Sequence, residues 1–212
     1  FMRWIRSVTP SDVALLAEVH HDPKKQSSLL SSRASDWIYD FSLPMLVLHA
    51  LFSANANNLR QWIAMRPTAQ ITTLDTHDGV GVVDVEGLMT REEIDQTVAE
   101  VELRGANPAY RASGKHADNV DIYQINTTYF SALGEDDDAY IAARAIQFFV
   151  PGIPQVYYVG LLCGGNDYEL FGETNHGRDV NRHNYTRDEI DLNMARTVVQ
   201  RLIHLMRFRS TH

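Results

Sequence analysis

Apolar and polar positions along the chain follow two periods in turn, the mark of strands alternating with helices. Short β-branched or aromatic runs at 13–19, 36–41, 71–77 and 154–160 read as buried strands, and 121–126 as a further strand-like or extended segment. Between them lie stretches with helical spacing or helix-start signals. A polar, Ser-rich stretch at 23–33 and an apolar segment from Pro44 both read as helices, the proline suiting a first helical turn. Another helix is expected at 57–64. Thr90-Arg91-Glu92-Glu93 and Thr186-Arg187-Asp188-Glu189 are capping boxes that open helices running to about 103 and about 207. Asp138 is expected to cap a helix that ends at Val150-Pro151-Gly152, and the turn-rich stretch 105–119 reads as a loop.

This alternation is that of a parallel sheet wound with crossover helices. Four buried strands make half of an eight-stranded barrel, and a complete barrel needs about 250 residues. The chain has 212, and its opening Phe1-Met2-Arg3-Trp4-Ile5-Arg6 reads as the inside of an amphipathic helix with no cap before it. The expected fold class is therefore α/β, the second half of a (β/α)8 TIM barrel (strands 5 to 8 with their helices), with residues 1–212 as one partial domain.

Composition narrows the partners. With 44% apolar residues the chain is ample for a core, and 19 basic against 27 acidic side chains give a formal charge of −8. That balance argues against a nucleic-acid or anionic-membrane surface, and no apolar run is long enough to span a bilayer. The single cysteine, Cys163, excludes an internal disulfide and fits a reducing cytoplasm. No base or metal partners are patterned around it, so it reads as an inert thiol.

The chemistry concentrates at strand ends, where parallel α/β proteins build their sites. The first apolar run delivers Glu18 and His20, and the third ends in Thr76-His77-Asp78-Gly79. Two carboxylates on one rim suit glycosyl transfer, in which one protonates the leaving oxygen and a carboxylate attacks or stabilises the sugar cation. The residues alone also allow Glu18 to pair with a buried arginine and Asp78 to cap the following turn. His77 could hydrogen-bond a substrate hydroxyl. The polar stretch Asn175-His176-Gly177-Arg178-Asp179-Val180-Asn181-Arg182-His183 could bind an anion or a sugar through bidentate arginine contacts, or be a solvated loop held by its own ion pairs. His176 and His183 lack metal-ligand spacing, and the acidic run 135–138 lacks the alternating ligands of a calcium loop.

Five segments together resemble one family, the sucrose phosphorylases of glycoside hydrolase family 13 in the α-amylase superfamily. Leu16-Ala17-Glu18-Val19-His20 is similar to its fifth-strand motif, and Thr73-Leu74-Asp75-Thr76-His77-Asp78-Gly79 to its seventh. Asp121-Ile122-Tyr123-Gln124-Ile125-Asn126 resembles the mobile acceptor loop, and the run 149–160 the eighth strand. Gly177-Arg178-Asp179-Val180-Asn181-Arg182-His183 completes the set, in order and over nearly the whole chain.

The resemblance implies roles position by position. Glu18 would be the general acid/base and Asp78 the carboxylate that stabilises the oxocarbenium-like transition state. His77 and Arg178 would bind glucosyl hydroxyls; His20, Asp121 and Gln124 would line the acceptor subsite; Tyr123 would take part when the loop presents phosphate. The Gly- and Ser-containing flank at 105–114 would give that loop its mobility. The substrates implied are sucrose and inorganic phosphate, with no cofactor and no metal, and a homodimer is allowed for a full-length parent. The family's nucleophilic aspartate precedes the acid/base by a strand and has no counterpart here, so the activity is expected of the parent protein and the isolated chain is expected to be inactive. Sister phosphorylases using glycerol, glycerate or a sugar phosphate as acceptor, and a non-enzymatic binding module, are the competing expectations.

Overall fold

Six helices of this chain begin at a residue whose side chain takes up an amide that the first turn leaves free. The computed structural model describes residues 1–110 and 122–212. In chain order, α1 (Met2–Val8) is followed by β1 (Leu16–Ala17), α2 (Pro23–Ser31), β2 (Trp37–Asp40), α3 (Leu43–Ser53), α4 (Asn57–Met65) and β3 (Gln70–Thr72). Next come β4 (Val80–Gly81), a short turn of 3-10 helix at Val83–Val85, α5 (Arg91–Glu102), β5 (Asn107–Tyr110) and β6 (Ile122–Asn126). The rest comprises α6 (Tyr129–Ala132), α7 (Asp137–Phe149), β7 (Ile153–Pro154), α8 (Tyr158–Leu161), α9 (Tyr168–Thr174), a second 3-10 turn at Gly177–Asn181, α10 (Arg187–Met194) and α11 (Thr197–Thr211). Asp22 caps α2 by accepting from the Lys25 amide at 3.0 Å, and Thr90 and Thr186 form complete capping boxes with Glu93 and Glu189.

Four strands form a parallel sheet in the order β1-β2-β3-β7, with Leu16 opposite Trp37, Ile38 opposite Gln70 and Ile71 opposite Ile153. This mixed α/β architecture with helical crossovers is the class that the alternating pattern predicts. A second, antiparallel sheet of order β4-β6-β5 stands beyond the C-terminal end of β3. The core lies on the helical side. In α3, Leu43, Met45, Leu46, Val47 and Leu48 are all 0% exposed, so the first two turns of this helix are apolar on every side because they are enclosed on every side. Tyr129, Tyr140, Phe148 and Leu202 complete the cluster. Among the described residues no helix is long and apolar enough to cross a membrane.

Several elements differ from expectation. The strands are shorter than their apolar runs: only Leu16–Ala17 of 13–19 and Gln70–Thr72 of the third run are paired. Beyond Thr72 the chain turns on itself, with the Thr73 hydroxyl donating to the Asp75 carbonyl at 2.7 Å and the Gly79 amide to Thr76 at 3.3 Å. In 154–160 only the start is strand, and Tyr158–Leu161 is helical. The expected loop 105–119 contains β5, an outer strand that tolerates Pro108 because it needs no inward amide there. Asp136, not Asp138, caps α7, accepting from the Ala139 amide at 2.8 Å, while Asp138 pairs with Arg201 at 2.7 Å. The last helix is two, because Arg196 takes an extended conformation and donates to the carbonyls of Leu162 and Cys163.

Candidate active site

The parallel sheet brings two of its strand ends to one rim. Glu18 follows β1 directly and is exposed, so it is not buried against an arginine. His77 and Asp78 leave the turn that follows β3. Ligand-type atoms of Glu18, His77 and Asp78 lie within 4.8 Å of one another. Gly79 makes the geometry feasible: its φ of +95° belongs to glycine, and a Cβ there would run into the Ile125 carbonyl of β6. Asp78 is thus held against the second sheet by its neighbour's backbone.

The loop 177–183 closes the site from the other side. Arg178 Nη1 sits 2.8 Å from Asp78 Oδ1, and Arg182 Nη2 3.6 Å from the same oxygen. Arg182 Nε also donates to the His77 carbonyl at 2.9 Å, and Asn181 Nδ2 to the Thr76 carbonyl at 3.0 Å. The carboxylate of Asp78 therefore goes to arginines and does not cap its own turn. Arg182 and Asn181 were not among the sequence candidates; their signal was the polar density of that loop. His183 anchors its end, with Nδ1 2.6 Å from Asp167 and Nε2 3.2 Å from Glu189. Burial lowers the His183 pKa, but those two carboxylates outweigh it and the net shift is upward. With its two nitrogens turned to different carboxylates on opposite sides of the ring, His183 is a strut, not a ligand.

His20, two residues beyond Glu18, lies close enough to Asp78 and Glu18 for both to act on its ring. Its ring stacks on Phe41 at 4.1 Å and meets Tyr123 edge-on at 6.0 Å. Nδ1 lies 2.7 Å from Asp84 Oδ2, while among the described residues Nε2 is buried without a hydrogen-bond partner. Burial lowers the His20 pKa; the hydrogen bond and charge of Asp84, with Asp78 and Glu18 behind it, raise it above the ordinary value. Asp84, which the sequence reading passed over, is 0% exposed. Gln124, on β6, is buried and donates to Asn126 Oδ1 at 3.1 Å. Asp121 and the part of the 105–114 flank after Tyr110 lie outside the described residues.

Not every strand-end acid belongs to this site. Asp40, ending β2, is buried against Arg66 at 3.0 Å and Trp62. Asp75 is buried against Arg144 at 2.5 Å, and Arg144 also bonds Tyr140 and Gln147. These are internal struts. Burial pushes the Cys163 thiol up to about 12, which leaves it protonated and unreactive. Glu18, His77 and Asp78 are close enough to share a cation, but Arg178 already neutralises Asp78 Oδ1. A carboxylate, an imidazole and an arginine-paired carboxylate suit hydrogen bonds to a polyol better than a metal.

No family model matches the chain. It is 49% identical over 205 residues to the sucrose phosphorylase of Agrobacterium vitis, aligning 93% of this chain with 42% of that protein. It is 46% identical to the glucosylglycerol phosphorylase of Marinobacter adhaerens, aligning 99% of this chain with 44% of that protein. The crystal structure of sucrose 6F-phosphate phosphorylase from Thermoanaerobacter thermosaccharolyticum superimposes with a TM-score of 0.87 at 48% identity, covering 93% of this chain and 40% of that one. The chain thus spans about two fifths of the length of the curated relatives it matches.

Proposed function

We propose that this chain, a homologue of the sucrose phosphorylases, supplies the acid/base side of a retaining glucoside phosphorylase. In this reading its parallel strands are strands 5 to 8 of a (β/α)8 barrel, and the remaining strands and the nucleophile come from protein outside the chain. The observation that carries it is the meeting of Glu18, His77 and Asp78 within 4.8 Å, at the ends of strands that pair through β2.

The chemistry follows from the charges. Retaining enzymes hold acid/base and nucleophile about 5–5.5 Å apart. Glu18, exposed to the rim, protonates the departing fructosyl oxygen while the external aspartate attacks the glucosyl carbon. The negative charge of Asp78 stabilises the developing oxocarbenium ion, and Arg178 and Arg182, 2.8 Å and 3.6 Å from its Oδ1, hold its orientation. His77 hydrogen-bonds glucosyl hydroxyls. Glu18 then accepts a proton from phosphate, which attacks to release α-glucose 1-phosphate. Each half-reaction uses the same carboxyl group in opposite protonation states.

Sucrose is the donor we favour, because sucrose phosphorylases are among the most similar relatives. The 46% identity to a glucosylglycerol phosphorylase supports a second reading in which the acceptor differs. A cytoplasmic enzyme, homodimeric at full length, fits either. The test is phosphate-dependent release of glucose 1-phosphate from sucrose, and in parallel from glucosylglycerol, by the full-length protein that contains this chain. Release from sucrose supports the first reading, and release from glucosylglycerol alone supports the second. Silence on both substrates overturns the function.

A further inference from the structure

We propose that Asp84 is a positioning residue for the acceptor step: it holds Nδ1 of His20 so that Nε2 is turned toward the incoming phosphate. The proposal rests on the functional reading above for the identity of the acceptor. The link between the two residues rests on geometry alone.

Asp84 is built to hold one orientation. It is 0% exposed; Oδ1 accepts from the His21 amide at 3.1 Å and from Gln26 Nε2 at 2.8 Å, leaving Oδ2 for His20 at 2.7 Å. Its own carbonyl accepts from the Ser42 hydroxyl at 2.5 Å, which pins the backbone. A carboxylate can only accept, so the contact requires a proton on Nδ1. Phe41 stacked on the ring at 4.1 Å removes the remaining freedom to flip. The consequence is at the far nitrogen. Among the described residues Nε2, across the ring from Asp84, is buried and unpartnered, a costly state that a ligand relieves, and Asp78 and Glu18 lie near enough for their charge to act on the ring.

Three carboxylates, Asp84, Asp78 and Glu18, act on the ring to favour its protonation, and the Tyr123 ring meets it edge-on. That setting favours the doubly protonated ring, whose Nε2–H donates to an anion and offsets charge that Glu18 and Asp78 would repel. A sugar hydroxyl needs no such offset. Asp84 therefore acts on the phosphate step more than on departure of the sugar. The same space also rejects any side chain at position 81, since a Cβ on Gly81 would collide with Asp84 Oδ2 and approach His20 Nδ1.

The experiment compares the full-length protein with its Asp84→Asn and Gly81→Ala variants, using inorganic phosphate and water as competing acceptors. NMR titration of the His20 ring is the second readout. The expected result is a lower His20 midpoint in both variants and a fall of about tenfold in the ratio of phosphorolysis to hydrolysis, carried by the KM for phosphate. An unchanged His20 midpoint in Asp84→Asn overturns the link. A lowered midpoint with phosphorolysis and hydrolysis reduced alike overturns the positioning role and leaves a merely structural bond. If the unaltered protein performs no phosphorolysis, the proposed function falls and the acceptor role with it, and that failure is separate because the midpoint comparison is read without substrate.

Discussion

Arg178 Nη1 stands 2.8 Å from Asp78 Oδ1, joining the second 3-10 turn to the loop after β3. The arginine side chain is 42% exposed, so the pair adds little stability. Its value is to fix a carboxylate that would otherwise swing. Arg178→Ala should change unfolding free energy by less than about 1 kcal/mol. It should lower kcat/KM for glucosyl transfer by roughly 10- to 100-fold, the loss of one charge-assisted contact. Thermal melts and initial rates on the full-length protein check both halves.

In the proposed mechanism, Glu18→Gln removes the proton that the leaving oxygen needs while keeping the shape. Turnover should fall by about 10²- to 10⁴-fold, with the melting curve unchanged because Glu18 is exposed. Near-normal turnover would end the acid/base assignment.

Arg144 ties α7 to the turn that carries Asp75, and both side chains are buried. Arg144→Met leaves an uncompensated carboxylate and a second orphan at Gln147, and should cost about 3–5 kcal/mol. Urea denaturation measures it. Adding Asp75→Asn should recover part of the loss, whereas additive losses would show that the pair is not coupled.

His183 supplies a pH dependence with a defined sign. Its pKa is raised in the folded chain, despite burial that opposes the shift, by Asp167 and Glu189. A group raised on folding stabilises fully below its unfolded value, about 6.5, and that contribution disappears as pH climbs through the folded value. The stability difference between the native chain and His183→Gln should therefore be largest on the acid side and shrink toward alkaline pH. A constant difference from about pH 5.5 to about 9 would contradict it.

The open sheet predicts association. On its outer strands Leu16 is 44% and Ile153 49% exposed, and Val13 and Val19 beside β1 are exposed too. Unpaired strand edges next to apolar side chains invite pairing with another chain. Light scattering on the chain alone should show mass rising with concentration; a monomer with one sharp melt would refute this.

Local features were readable in the sequence because their physics is local. The capping boxes at Thr90 and Thr186 work within one turn of helix, and Pro44 marks a helix start by its own ring. Strand length was overestimated because β-branched and aromatic residues report burial, and the turn after Thr72 is as buried as the strand. The break between α10 and α11 depends on carbonyls that Arg196 reaches across the fold, so no local signal announced it.

The sequence by itself determined the alternation of strands and helices and the presence of acids at strand ends, since hydrophobic period and strand direction require no distant partner. Only the tertiary structure decided which acids are available. Asp75 is consumed by Arg144, 69 residues away, and Asp84 by His20, 64 residues away, while Asp78 is left on the rim with Arg178 beside it. A carboxylate's role depends on whether a cation, a donor or solvent meets it, and that is settled by chain segments that meet only once the sheet has formed.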